Sequence, residues 1–190
     1  MALIAAEGWG IICIEFGKGG ESLKLDTRKL AISAMLITLD VLFTRVLAIN
    51  TPLMKIGFGF AAVAVSAMLY GPFWAMLTAA LGDFLGAIIF PTGAFFPGFT
   101  LTAALTGLIF GLCLYKRGQK LVWPVLAAGL NCLLITLVAN TALIAYISGN
   151  DYSVLFTART VQFFIMFPVQ ALVLAWFNKS KILEQIIKKA

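Results

Sequence analysis

Phe90-Pro91-Thr92-Gly93-Ala94-Phe95-Phe96-Pro97-Gly98-Phe99-Thr100 lies between two long apolar runs and carries no charge. Proline removes a backbone donor and glycine weakens helical preference, so the stretch predicts a break in helix through Phe99. It is nonetheless far too apolar for an ordinary solvated connection. Irregular backbone at membrane depth survives where it packs on protein or lines a cavity. The segment therefore reads either as an aromatic loop at headgroup level or as the lid of a ligand site, with rings offered for stacking.

The rest of the chain agrees with a membrane setting. Its 190 residues are 62% hydrophobic and 12% charged, with a mean hydropathy of +1.01, which excludes a soluble domain. Histidine is absent, and with it the commonest metal ligand and neutral-pH base. Cys13, Cys113 and Cys132 are widely separated and read as small packing residues, without zinc or disulfide spacing. Neither a metal nor a cofactor is expected.

Outward from the opening stretch, the pattern predicts six apolar spans in an all-α membrane protein. The first runs from Asp26 or Thr27 to about Ile49, and the second, a short one, from Phe58 to Tyr70. Gly71-Pro72 makes a tight reversal, with Pro72 placed to start the third span, which ends at Phe90. The fourth covers Thr100 to Tyr115, the fifth Leu121 to Ser148, and the sixth Tyr152 to about Asn178 after a turn at Gly149-Asn150-Asp151. The expected organisation is a leader at 1–24, a membrane domain at 25–179 and a basic tail at 180–190. The leader differs in character from the apolar spans. Lys18-Gly19-Gly20-Glu21 is what a purine-rich ribosome-binding site would encode, which points to a start near Leu23; the alternative is a short amphipathic helix.

Eleven of the fourteen basic residues fall before the first span, between the fourth and fifth, or after the sixth. The positive-inside rule makes that face cytoplasmic, so both termini are expected inside a plasma membrane. Topology thus accounts for the net charge of +6 without invoking nucleic acid. The other three cations, Arg45, Lys55 and Arg159, lie on the outer side.

Asp40, Arg45, Asp83 and Arg159 fall within or near the ends of spans, where ionisable groups face a bundle interior, a partner or a watery site. One reading is a buried charge network that fixes helix packing. The other is an outward site for an anionic ligand with an aromatic body, since a guanidinium fork suits a carboxylate. Asp83, about 16 Å along the third helix, either accepts hydrogen bonds from a heterocycle's amino group or pairs with Arg159. Asn131 and Asn140 in the fifth span, and Arg159 and Gln162 three apart on the sixth, fit ligand binding or helix adhesion alike.

Several segments together carry a resemblance. Lys55-Ile56-Gly57-Phe58-Gly59-Phe60, Tyr70-Gly71-Pro72, Gly82-Asp83-Phe84-Leu85-Gly86 and Phe95-Phe96-Pro97-Gly98-Phe99-Thr100-Leu101 resemble the folate-specific substrate-binding component of energy-coupling factor transporters. Ala158-Arg159-Thr160-Val161-Gln162 and Phe167-Pro168-Val169-Gln170 extend the match, which covers Asp26 to Asn178 in order. The resemblance implies a six-helix subunit holding one vitamin in an outward pocket under the loops after helices one, three and five. It also implies partnership with a transmembrane coupling subunit and two cytoplasmic ATPases. On this chain, Arg45, Lys55 and Arg159 would meet the folate glutamate carboxylates. Phe58, Phe95, Phe96 and Phe99 would cover the rings, with Pro97, Gly98 and Thr100 in the same binding segment. Asp83, Asn140 and Gln162 would take the pterin edge. For docking of the coupling subunit the family implies an Ala-x-x-x-Ala face on the first helix. Here Ala31 is followed four on by Met35 and Ala34 by Thr38, leaving Ala31, Ala34 and Thr38 as the small-residue face.

Two other readings compete. The same architecture could carry riboflavin or thiamin, although a positive outer pocket favours a dicarboxylate over a cation. A small integral-membrane lipid enzyme would need Asp40 and Asp83 as catalytic groups, without a histidine or a nucleophile motif.

Overall fold

The computed structural model describes residues 11–14, 23–50, 55–90, 96–116, 120–148 and 152–179. The chain divides into a small N-terminal unit, Met1–Met35, and a large one, Leu36–Ala190. In the first, β1 (Ile11–Ile14) pairs antiparallel with β2 (Leu23–Asp26), Ile11 opposite Asp26. The helical alternative for the leader therefore does not apply to residues 11–14; the rest of that leader, to residue 22, lies outside the described residues.

Helix α1 (Thr27–Val41) opens at the expected position and continues as a π-helical turn over Leu42–Val46. A minimal hairpin comes next, β3 (Ile49–Asn50) against β4 (Lys55–Ile56). Then come α2 (Phe60–Tyr70), α3 (Pro72–Ile89) and α4 (Pro97–Leu114). After them is a continuous helical rod made of α5 (Val122–Leu130), a π-helical stretch (Asn131–Ala139) and α6 (Asn140–Ser148), and last α7 (Tyr152–Lys179). The expected turn at residues 149–151 and the tail at 180–190 lie outside the described residues.

The α2–α3 reversal rests on Gly71, whose φ of +88° suits glycine, and whose α-carbon faces the ring of Tyr115. Pro72 then occupies the first helical turn, where its missing N–H has no partner to lose. The same rule corrects the reading of the opening stretch. Pro97 begins α4, so Pro97, Gly98 and Phe99 form its first turn and the helix starts three residues before Thr100.

Among the described residues four helical stretches are long and apolar enough to cross a membrane: Pro72–Ile89, Pro97–Leu114, Val122–Ile147 and Leu155–Lys179. Their outward side chains include Leu112, Phe164, Leu172 and Trp176, an apolar exterior suited to lipid. This is a multi-pass membrane protein. Helix α2 has 11 residues and is buried nearly all round, from Phe60 to Met68 with the exception of Val65. It forms the centre of a core shared with Ala75, Ala79, Phe110, Ala127, Ala128, Met166 and Leu174. Small residues dominate, so backbones approach closely. A Cβ on Gly107 would strike the carbonyl of Ala75, and one on Gly111 the α-carbon of Pro72. Inside this core Ser66 of α2 and Thr78 of α3 share a hydroxyl hydrogen bond of 2.9 Å.

Candidate functional site

The site begins where α1 changes pitch. In the π turn the N–H of Leu47 donates to the carbonyl of Leu42, five residues back, at 3.0 Å. Five residues thus complete roughly one turn there, whereas an α-helix would carry the fifth residue well past the first. Asp40 and Arg45, five apart, consequently reach the same neighbour. The Asp40 carboxylate presses on Gly82 and also on Gly59 at the entry to α2, while Arg45 lies across Gly86. Gly82 and Gly86 sit four apart on α3, so the bare strip of that helix receives both charged side chains. Asp40 is buried.

Between those glycines stands Asp83. Nη2 of Arg45 approaches Oδ1 of Asp83 at 3.3 Å and the Asp83 carbonyl at 3.4 Å, with the two side chains 9% and 22% exposed. The other carboxylate oxygen accepts a hydrogen bond of 3.1 Å from the Thr100 hydroxyl. Asp83 is therefore paired with Arg45, and the pairing with Arg159 considered from sequence is not the one formed. Lys55 lies in β4, and its side chain, like Phe95, is outside the described residues.

A second polar contact lies close by in sequence. The Thr102 hydroxyl is 3.0 Å from Oδ1 of Asn140 and 2.9 Å from the Phe99 carbonyl. Sequence reasoning does not single out Thr102; its only signal is a hydroxyl two positions beyond Thr100 in an otherwise apolar helix. The rings form a chain: Phe96 meets Phe99 edge-on at 6.4 Å and Tyr146 at 6.3 Å. Tyr146, 81% exposed, is likewise an addition from the structure. Gly98 allows Phe96 and Leu143 to close over the start of α4. Phe58 is exposed and tilts against Phe60 at 6.3 Å, and among the described residues it takes no part in that chain.

Arg159 and Gln162 are both buried on α7. Nε of Arg159 finds no hydrogen-bond acceptor among the described residues. A buried guanidinium N–H in that condition is costly, and an acceptor from beyond the described residues would stabilise it. Asn131 belongs elsewhere: with Cys132 it donates to Oε1 of Gln170, at 3.2 and 3.3 Å, and ties the π-helical stretch to α7. On α1, Ala31, Ala34 and Thr38 are all exposed.

Arg45 held by Asp83, the buried Arg159 and the rings about Phe96 are each suited in kind to one part of an aromatic ligand bearing carboxylates. The comparisons with known proteins point the same way. The family model for the substrate-specific component of ECF transporters matches residues 28–177. The Folate transporter FolT of Clostridium novyi is 41% identical over 159 residues, covering 82% of this chain and 92% of that protein. The Folate transporter FolT of Leuconostoc mesenteroides is 34% identical over 172 residues, covering 87% and 92%. The crystal structure of FolT bound with folic acid superposes with a TM-score of 0.76 at 32% identity, covering 82% of this chain and 95% of the other.

Proposed function

We propose a function from one premise: the chain belongs to the substrate-specific components of ECF transporters. Within that family it is the folate-specific component, a membrane protein that captures folate for uptake. The observation that carries this is its likeness over most of both chains to a FolT solved with folic acid, joined to two curated folate transporters. Its part is to bind and deliver, and chemistry is left to other chains.

The finer reading rests on particular residues. Residues 25–179 form a six-helix unit in the plasma membrane with both termini cytoplasmic, as the clustering of basic residues supports. The pocket opens outward beneath the loops after the first, third and fifth helices. Arg45, Lys55 and Arg159 serve the glutamate carboxylates, since a guanidinium can donate two parallel hydrogen bonds to each. Phe58, Phe95, Phe96 and Phe99 cover the rings, with Pro97 and Gly98 shaping the turn that presents them. Asn140 and Gln162 take the pterin edge, and Asp83 and Thr100 bound the site. Tight capture implies slow release, so the roof must open for delivery. Delivery requires two ATPases and a transmembrane coupling subunit, which meets the exposed face of Ala31, Ala34 and Thr38.

The direct test is titration of the detergent-purified chain with folate, monitored by tryptophan fluorescence and pterin absorbance. Saturation at one folate per chain is expected. Binding of riboflavin or thiamin with a flat response to folate would keep the family and discard the ligand. Arg159→Glu should weaken folate binding about a hundredfold or more, because it replaces a desolvated cation facing an anion with a like charge.

A further inference from the structure

A guanidinium as withdrawn from solvent as that of Arg45 needs a counter-charge before any ligand arrives. Asp83 supplies it, and its two oxygens are divided: one toward Nη2 of Arg45, the other toward the hydroxyl of Thr100. Both oxygens are thus engaged before a ligand arrives, and an amino group on a heterocycle would have to be accepted as a further donor on one of them. We infer that Asp83 and Thr100 are positioning residues for Arg45 and make no contact with the ligand themselves. The inference rests on the folate reading and concerns how one cation of that site is held.

Three observations support the assignment. The clasp is internally neutral, so Arg45 and Asp83 together bury no net charge at this point. Gly86 leaves room for the Arg45 side chain, with a notional Cβ only 2.9 Å from its Nε, so the arginine is seated as well as paired. And the three partners come from separate places: the π turn before the β3–β4 hairpin, the second half of α3, and the start of α4 just past its first turn. The clasp thus joins elements that flank two of the three loops proposed to roof the pocket.

The test uses the purified full chain and three ligands: folate, pteroate (the same molecule without its glutamate), and a folate analogue with hydrogen in place of the pterin amino group. In Asp83→Asn folate affinity should fall about tenfold or more while pteroate affinity changes little, so the folate-to-pteroate ratio collapses. The ratio of folate to the deamino analogue should stay at its wild-type value. Thr100→Val should move both ratios the same way by less. A loss of discrimination against the deamino analogue, with the pteroate ratio intact, would overturn the inference and make Asp83 a reader of the pterin. Unchanged or tighter folate binding in Asp83→Asn would overturn it too. Should Asp83→Asn fail to fold, Thr100→Val, which keeps the ion pair, decides by the same ratios. A wild-type chain that binds none of the three ligands would sink the folate reading itself, an outcome distinct from any change confined to the variants.

Discussion

Gly107 and Gly111 of α4 lie against the start of α3, while Gly82 and Gly86 of α3 lie beneath the end of the first helix. Both pairs are four apart, and each strips side-chain volume from one strip of a helix. What fills the space differs. At the first seam it is the backbone of Pro72 and Ala75 itself, helix against helix. At the second it is the carboxylate of Asp40 and the guanidinium of Arg45. Without a hydrophobic drive between helices in lipid, close packing is what holds them together, and the first seam uses its glycines for that. The second uses the same absence of side chains to admit charged groups that lipid would exclude. One spacing thus serves adhesion at one end of α3 and a seat for charged side chains at the other.

If that division holds, substitutions at the first seam change stability and leave affinity alone. Gly111→Leu drives a side chain into the backbone of Pro72 and should abolish recovery of folded protein. Gly107→Ala, the milder version, should cost about 3 kcal/mol, since overpacking against backbone cannot be relieved by a rotamer change. Thermal inactivation in detergent reads the effect, and the fraction that remains folded should bind folate with wild-type affinity. An altered affinity there would mean the two seams are mechanically one.

The second seam should respond in the opposite proportion. Gly82→Ala displaces the buried Asp40 carboxylate, with an expected loss of about 1–3 kcal/mol in stability and weakened folate binding. Gly86→Ala meets the middle of the Arg45 side chain, its Nε at 2.9 Å and Cγ at 3.3 Å, which can give by a few tenths of an ångström. It should therefore shift stability by less than about 1 kcal/mol and weaken folate about three- to tenfold by moving Arg45. Equal effects of Gly86→Ala on folate and pteroate would detach Arg45 from the glutamate end of the ligand.

The contrast between the seams also marks what is legible in sequence. Apolar runs and the Gly71-Pro72 reversal locate the helices, because lipid demands long uncharged stretches. Pro97 reads as a loop residue in sequence, although Pro72 reads correctly as a helix start. Proline in the two settings looks alike until the N–H groups of its successors find partners. The glycine pairs pass as ordinary small residues, since four-residue spacing says nothing about which helix will lie across it. The π turn has no sequence signature at all, and without it Asp40 and Arg45 would not face α3 together. Asp83 can be assigned a charge and a depth, but its partner depends on that turn. Thr102 and Tyr146 escape a reading of the sequence because a hydroxyl and a ring acquire meaning from Asn140 and Phe96, far away in the chain.

A polar pair in the core offers the smallest and cleanest control. Ser66 and Thr78 are fully buried, and their hydroxyls meet at 2.9 Å between α2 and α3, remote in kind from the charged clasp because no ionised group takes part. The Thr78 hydroxyl also donates to the Trp74 carbonyl at 2.8 Å, so Ser66 supplies the proton of the shared bond and Thr78 accepts it. Ser66→Ala removes the donor but leaves Thr78 its bond to its own helix, and no buried donor is stranded. The expected loss is therefore close to the average for interhelical hydrogen bonds in membrane proteins, about 0.6 kcal/mol. Folate affinity should be unchanged within error. A loss of several-fold in affinity from so small a change would show that α2 and α3 transmit strain to the clasp, and that burial in this bundle does not insulate adhesion from binding.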